Sequence, residues 1–295
     1  VILITTKKGR KGLGVTINAG ITGGRVDKST FIKYQKEYGG GYGPTFASTD
    51  VDGDGVRDRV VRLSHDASAG PRFDPNLLVF QSDAFTPGNP NFGRATPWVA
   101  AQNDPSSFFQ DAITLNNSIA INGGNDNGYF KLGYNSIRDK GILPNSNVNK
   151  NIVNFAGSLN LTPRLTTSAS VNFSQVDGKG RYGTGYSGNY GDNPMTNFRQ
   201  WWQTNVDIKE QKAAYEYQKQ NASWNLSSPT NRVPQYWNNP YFNRYQNYET
   251  DSRYRTFGNV VTTYKFADWF NVLGRVTLDS YDEIQEERLA VGSVG

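Results

Sequence analysis

The chain has 295 residues, a formal net charge of +5, no cysteine and one histidine, His65. The absent cysteines exclude a disulfide framework and thiolate metal sites, and one imidazole leaves no histidine ligand set or triad. Mean hydropathy is −0.65 and no run of 18 apolar residues exists, which excludes a transmembrane helix but not a barrel, whose alternating strands score as polar overall.

Residues 1–6 (Val-Ile-Leu-Ile-Thr-Thr) form a continuous strand-like run of the kind buried on both faces. Lys7-Lys8-Gly9-Arg10-Lys11 is the only dense basic stretch. It is too short to line a groove, so no nucleic-acid partner is expected. Residues 13–22 alternate, with Leu13, Val15, Ile17, Ala19 and Ile21 on one side. A region rich in Gly, Pro, Asp and Asn follows from 23 to about 111, with a short helix expected over 29–38. Stretches of this length without regular structure are usually functional loops or disorder.

Strands then follow closely. Ile113, Leu115, Ile119 and Ile121 share a face, interrupted by Asn117, and residues 122–128 (Asn-Gly-Gly-Asn-Asp-Asn-Gly) read as a turn cluster. Phe130, Leu132 and Tyr134 share the next face. After a medium loop from 141, residues 153–161 and 165–173 both carry apolar residues at odd positions, reversed by Thr162-Pro163-Arg164. Period two gives each strand one apolar and one polar face. A second irregular region runs to about 251, with a helix expected at 207–219 from Asp207 and Glu210 in capping-box spacing. Strands at 255–266 and 270–280, joined by a turn at 267–268, complete the series.

Short and long connections therefore alternate along the chain. Outer-membrane barrels have this pattern, with short periplasmic turns and longer extracellular loops. The polar faces are mostly Ser, Thr, Asn and Gly with few Lys or Glu, as suits a lumen packed against a plug. About ten residues at ~3.3 Å, tilted ~45°, span roughly 25 Å, the height of the apolar band. The expected fold class is all-β: part of a large antiparallel transmembrane β-barrel whose long extracellular loops contain short helices. A secreted β-sandwich or surface binding protein of the adhesin type explains the alternation but not the asymmetry of connections.

Two constellations stand out in the loops. Asp50, Asp52, Asp54 and Asp58 occupy positions 1, 3, 5 and 9 of a calcium loop, with Gly55 at 6 and the Val56 carbonyl at 7. Position 12 is Val61, so another acid such as Asp66 has to stand in for the usual glutamate. The expected role is a structural calcium that stiffens a loop. The aromatic residues Tyr182, Tyr186, Tyr190, Trp201, Trp202, Trp224, Tyr236 and Trp237 either pack inside a large loop or stack against a ligand. Trp201, Trp202, Trp224, Tyr236 and Trp237 are the candidate substrate contacts. The glycines at 178, 180 and 183 fit a dinucleotide pattern, but no helix pattern follows them. Glu286-Glu287 reads as solvated charge. No catalytic constellation emerges, so no enzyme is expected.

Several segments also carry a family resemblance. Residues 1–9 (Val-Ile-Leu-Ile-Thr-Thr-Lys-Lys-Gly) resemble the last plug strand of SusC/RagA-type TonB-dependent outer-membrane transporters. Ala120-Ile121-Asn122-Gly123-Gly124-Asn125 with Tyr129 resembles that family's first periplasmic turn. Tyr134 to Asp139 with Gly141-Ile142, Asn193-Pro194-Met195 with Arg199-Gln200-Trp201-Trp202, and Trp237-Asn238-Asn239-Pro240-Tyr241 resemble later segments in order. So does Leu273-Gly274-Arg275 with Asp279-Ser280-Tyr281. The resemblance implies that 1–12 ends a plug domain. It also implies that 13–295 is the N-terminal part of a barrel, about seven strands with long loops at about 23–111 and 178–251, within a longer protein. It implies TonB-energised import of glycans or peptides through a Gram-negative outer membrane, with a SusD-like surface lipoprotein as lid and the TonB complex as a partner.

Overall fold

A computed structural model describes residues 12–181, 183 and 193–294. The strand and basic run expected within 1–11, the expected plug segment, and Tyr182, Tyr186 and Tyr190 lie outside the described residues. In chain order the strands are β1 (Gly12–Gly24), β2 (Ala47–Thr49), β3 (Asp58–Val60), β4 (Asp74–Val79), β5 (Thr96–Trp98), β6 (Ala112–Asn125), β7 (Gly128–Lys140), β8 (Asn147–Thr162), β9 (Leu165–Lys179), β10 (Glu249–Ala267) and β11 (Phe270–Glu287). The helices are α1 (Pro194–Gln200), α2 (Ile208–Gln218) and α3 (Pro240–Gln246). Strands take 48% of the residues and helices 13%, which makes the chain all-β with helical insertions.

The long strands form one antiparallel sheet in the order β1-β6-β7-β8-β9-β10-β11. All three tight connections lie at one end. Asn125 pairs with Gly128, Thr162 with Leu165 and Ala267 with Phe270, so each turn leaves two residues unpaired. Local polar groups fix two of them. Asn125 Oδ1 accepts from the amides of Asn127 and Gly128 at 2.9 and 3.1 Å, and Thr162 Oγ1 accepts from those of Arg164 and Leu165 at 3.2 and 3.0 Å. The three longer connections, 25–111, 141–146 and 180–248, all leave from the opposite end.

Register decides which residues share a face. Ile17 pairs with Ile119, Ile119 with Tyr134, Tyr134 with Val153 and Val153 with Phe173. On the same side Val171 meets Gly258 and Ala169 meets Val260, and Val260 in turn meets Val276. One apolar face thus runs across all seven strands. It is exposed in the inner strands too: Leu159, Val171 and Val260 are 50%, 43% and 46% exposed. The opposite face carries polar cross-strand pairs, Asn18 to Ser118 at 3.3 Å, Asn154 to Asn172 at 2.6 Å and Thr166 to Asn160 at 2.9 Å.

Aromatic and polar side chains bound the apolar face above and below. Toward the loop end, the Tyr134 hydroxyl donates to Asn151 at 2.9 Å, and Gln175 donates to the Tyr254 hydroxyl at 3.3 Å. Toward the turn end, Tyr264, Phe266, Trp269 and Phe270 form a run of ring contacts with centroids 4.6–5.7 Å apart. From Tyr254 to Tyr264 is about 33 Å of strand, or about 23 Å of height at a 45° tilt.

The long connections are not structureless. They pack into a domain with two aromatic cores. One gathers Phe108, Leu143, Phe198, Trp202, Trp224 and Phe242, and the other Val60, Val79, Phe80, Phe85, Trp98 and Leu226. Close approach depends on glycine. A Cβ on Gly39 would strike the Trp98 ring, and one on Gly40 the Gln203 side chain.

Four local expectations change. The cluster 122–128 is mostly strand, because Phe130 lies over Gly123 and lets the ladder run through the glycines. The helix expected over 29–38 is only a 3-10 turn at Lys28–Thr30, where the Asp27 carboxylate takes the Ser29 amide at 2.9 Å. Tyr34 instead anchors the chain by donating to the Phe198 carbonyl at 2.7 Å. Strands reach 19 residues in β10, beyond the nine to eleven or so that a bilayer needs, because the ladder continues into the loop-end domain. Finally, α1 and α3 begin at Asn193-Pro194 and Asn239-Pro240, where asparagine caps and proline at the first helical position favour a start. The helix expected at 207–219 is present as α2, with Asp207 accepting from the Lys209 amide at 2.8 Å.

Candidate functional site

The candidate aromatic contacts divide by burial. Trp202, Trp224 and Trp237 are buried, and Trp224 has no exposed surface. Trp202 lies edge-on to Phe198 and Trp224 at centroid distances of 5.5 and 5.2 Å. These three rings hold the domain together and present no face to a ligand, which corrects their reading as substrate contacts. Trp201 is half-buried against the same core. Tyr236 is 48% exposed.

Behind Tyr236 lies a polar cluster. The Asp66 carboxylate accepts from the Trp237 indole at 2.8 Å and from the Tyr42 hydroxyl. Asp66 is thereby committed here, which removes it as the stand-in twelfth ligand of the acidic loop. Burial and this hydrogen bond push the Tyr42 phenol up to about 12. Tyr42 also stacks on His65 at 4.7 Å, and its backbone amide donates to His65 Nδ1 at 3.2 Å. Burial, helped by Arg62, lowers the pKa of His65, so the imidazole is neutral at pH 7. Its Nδ1 is occupied, and the ring acts as a packing and positioning group.

Buried amides, which sequence reasoning missed, organise this region. Asn225 donates to the carbonyls of Leu63 and His65 at 3.0 and 3.3 Å and accepts from the amides of Tyr236 and Trp237 at 2.8 and 3.2 Å. Gln203 donates to the carbonyls of Arg62 and His65 at 3.0 and 2.8 Å. Each joins the 180–248 connection to the 25–111 connection. Asparagine and glutamine carry no sequence mark of burial; the one signal open to sequence reasoning is Asn-Pro at the starts of α1 and α3, which entered no helix expectation.

In the acidic loop, carboxylate oxygens of Asp50, Asp52 and Asp58 lie within 4.8 Å of one another. The turn that gathers them is self-templated. Asp50 accepts from the amides of Gly53 and Gly55 at 2.7 and 3.0 Å, Asp58 accepts from that of Val51 at 2.9 Å, and Gly53 and Gly55 take positive φ. Asp54 turns to the Val56 amide at 2.7 Å and stands apart from the trio. Three of the expected ligands converge on hard oxygen chemistry suited to calcium.

The polar face of the sheet is uneven. Across β8 and β9 it carries one charge, Lys150, near the loop end, whereas β10 and β11 carry a charged ladder. Arg255 grips Asp279 at 2.9 and 2.6 Å, Arg181 grips Asp251 at 2.5 and 2.6 Å, and Arg253 lies 3.7 Å from Glu283 and over the Tyr281 ring.

No protein-family model matches the chain, and no curated protein matches it. The functional reading therefore rests on the geometry and on the sequence resemblance.

Proposed function

We propose that the seven-stranded sheet is a stretch of the wall of an outer-membrane β-barrel, in a TonB-dependent transporter of the SusC/RagA type that imports glycan or peptide oligomers. One observation carries this reading: an exposed, largely apolar face that runs across all seven strands, bounded by aromatic side chains, with every tight turn of the sheet at one end and every long connection at the other. Such a face left in water would be far larger than the few hundred Å² a soluble monomer normally exposes. Against lipid it is satisfied, and the strand ladder satisfies the backbone. The outer strands β1 and β11 then pair with further strands of the barrel. The polar face lines the lumen against a plug, the tight turns are periplasmic, and the packed domain stands outside the cell. There it is placed to meet substrate, Tyr236 included, and a SusD-like lipoprotein lid, while the TonB complex supplies energy from the periplasm. The trio Asp50, Asp52 and Asp58 supports a calcium ion that stiffens the outer domain.

The absence of cysteine makes the test direct. Single thiols at Phe155→Cys and Ser170→Cys lie on opposite faces. In membranes, the first should react only with a bilayer-soluble maleimide and the second with a water-soluble one. Equal labelling of both by the aqueous reagent refutes the barrel. Uptake of a glycan and peptide panel, with and without TonB energisation, then tests transport.

A further inference from the structure

A groove of about 690 Å³ opens on the loop-end domain, along the seam between its two aromatic cores. Its floor takes Phe242 from one core and Phe85 and Leu226 from the other, with fully buried Ser223 between them. That volume suits a small ligand, and seams between packing units are where such sites form.

The polar lining is one-sided. Lys219 and Arg232 sit at the rim, both exposed, and no aspartate or glutamate is among the groove-lining residues. Neither cation has a carboxylate partner among the described residues; Lys219 lies over the Tyr215 ring at 5.1 Å and Arg232 over Phe92 at 5.4 Å. Lys219 is held in place as the left-handed cap of α2, its amide donating to the Tyr215 carbonyl at 2.7 Å. Three of the four neutral amides are occupied by the wall: Gln218 donates to the Pro87 carbonyl at 3.1 Å, Asn221 to that of Gly292 at 2.8 Å, and Gln246 to the Tyr215 hydroxyl at 2.9 Å; Gln220 is exposed at the rim. The C-terminal dipole of α2 opposes an anion with roughly half a charge, which two full cations outweigh.

We infer that this groove binds a carboxylate-bearing oligomer, its body on the Phe85–Leu226–Phe242 floor and its anionic groups at Lys219 and Arg232. The inference rests on the import reading only for the idea that this oligomer is cargo.

Calorimetry on the purified protein in detergent, with no membrane needed, tests it. The probes are a short uronic-acid oligosaccharide and an acidic peptide, each beside its neutral methyl ester. At least one acid should bind about tenfold or more tighter than its ester, and which one does identifies the source. The Lys219→Gln/Arg232→Gln variant should lose that preference, and the charge-preserving Lys219→Arg/Arg232→Lys variant should keep it. Acid and ester binding alike, no binding by either acid, or a glutamine variant that keeps the preference would each overturn the inference. Because thiol labelling reports the membrane face separately, failure of the groove and failure of the barrel are distinct results.

Discussion

Val171 and Ser170 are neighbours in β9 on opposite faces of the sheet, and they offer the sharpest test of what the apolar face touches. Val171 lies six residues from the tight turn at Leu165, about 20 Å along the strand and about 14 Å in height at a 45° tilt. That is close to the middle of a 25 Å apolar band. Arginine at the midplane of a barrel wall costs about 2–4 kcal/mol, falling to about 0–1 kcal/mol near the interface. Val171→Arg should therefore lower the folding equilibrium in phospholipid vesicles by a factor of about 30 to 900. Leu165→Arg, beside the turn, should change it by less than about tenfold. Ser170→Arg, facing the lumen, should be close to neutral. Urea titration in vesicles, followed by tryptophan fluorescence, reads all three. Equal effects for Val171→Arg and Leu165→Arg would refute a depth-dependent lipid face. So would a Val171→Arg variant that folds as well as the parent.

Two further outcomes concern the outer domain. Burial, with Asp83 and Asp207 nearby, raises the Glu210 carboxyl from 4.5 to about 7. The folded chain then holds a proton that the unfolded chain has lost, so this group makes stability fall as pH rises from about 4.5 to about 7, then level off. Glu210→Gln should remove that slope and stabilise the domain at pH 8 by on the order of 2 kcal/mol; identical melting-versus-pH curves for parent and variant would count against the assignment. Calcium at 100 times its dissociation constant should stabilise the acidic loop's domain by about 2.7 kcal/mol. Asp52→Asn should abolish that gain with little effect on the metal-free fold, because Asp52 makes one turn hydrogen bond, to the Asp54 amide, where Asp50 makes two. Equal melting temperatures with calcium and with chelator would exclude the site.

The sheet was legible because its signal is local. Alternation in 153–161 and 165–173 places every residue on a face, and tight-turn residues such as Pro163-Arg164 fix the register once two strands are known. The outer domain was opaque for the opposite reason. Trp224 and Trp237 read as available rings, because nothing in the sequence tells a buried tryptophan from an exposed one. Their burial depends on Phe198 and Trp202, on Asn225 reaching Leu63, and on Asp66 taking the Trp237 indole. The Asn225–Leu63 and Trp237–Asp66 pairings span 162 and 171 residues and follow no period. The Asp50–Asp58 turn lies between, since its glycines and aspartates form a nearly self-contained unit, whereas the commitment of Asp66 to Tyr42 and Trp237 needed the tertiary structure.

The cores of the outer domain also set an order of assembly. Tyr34 bonds to the Phe198 carbonyl across 164 residues, and Asn225 to Leu63 across 162. Between those partners run β6 to β9, so the domain's halves are expected to meet after the intervening strands have paired. Such distant closures are slow. Trp237, whose indole reaches Asp66 across 171 residues, should thus be shielded in a late kinetic phase that follows strand pairing, and a variant keeping it as the sole tryptophan would time the last step of maturation.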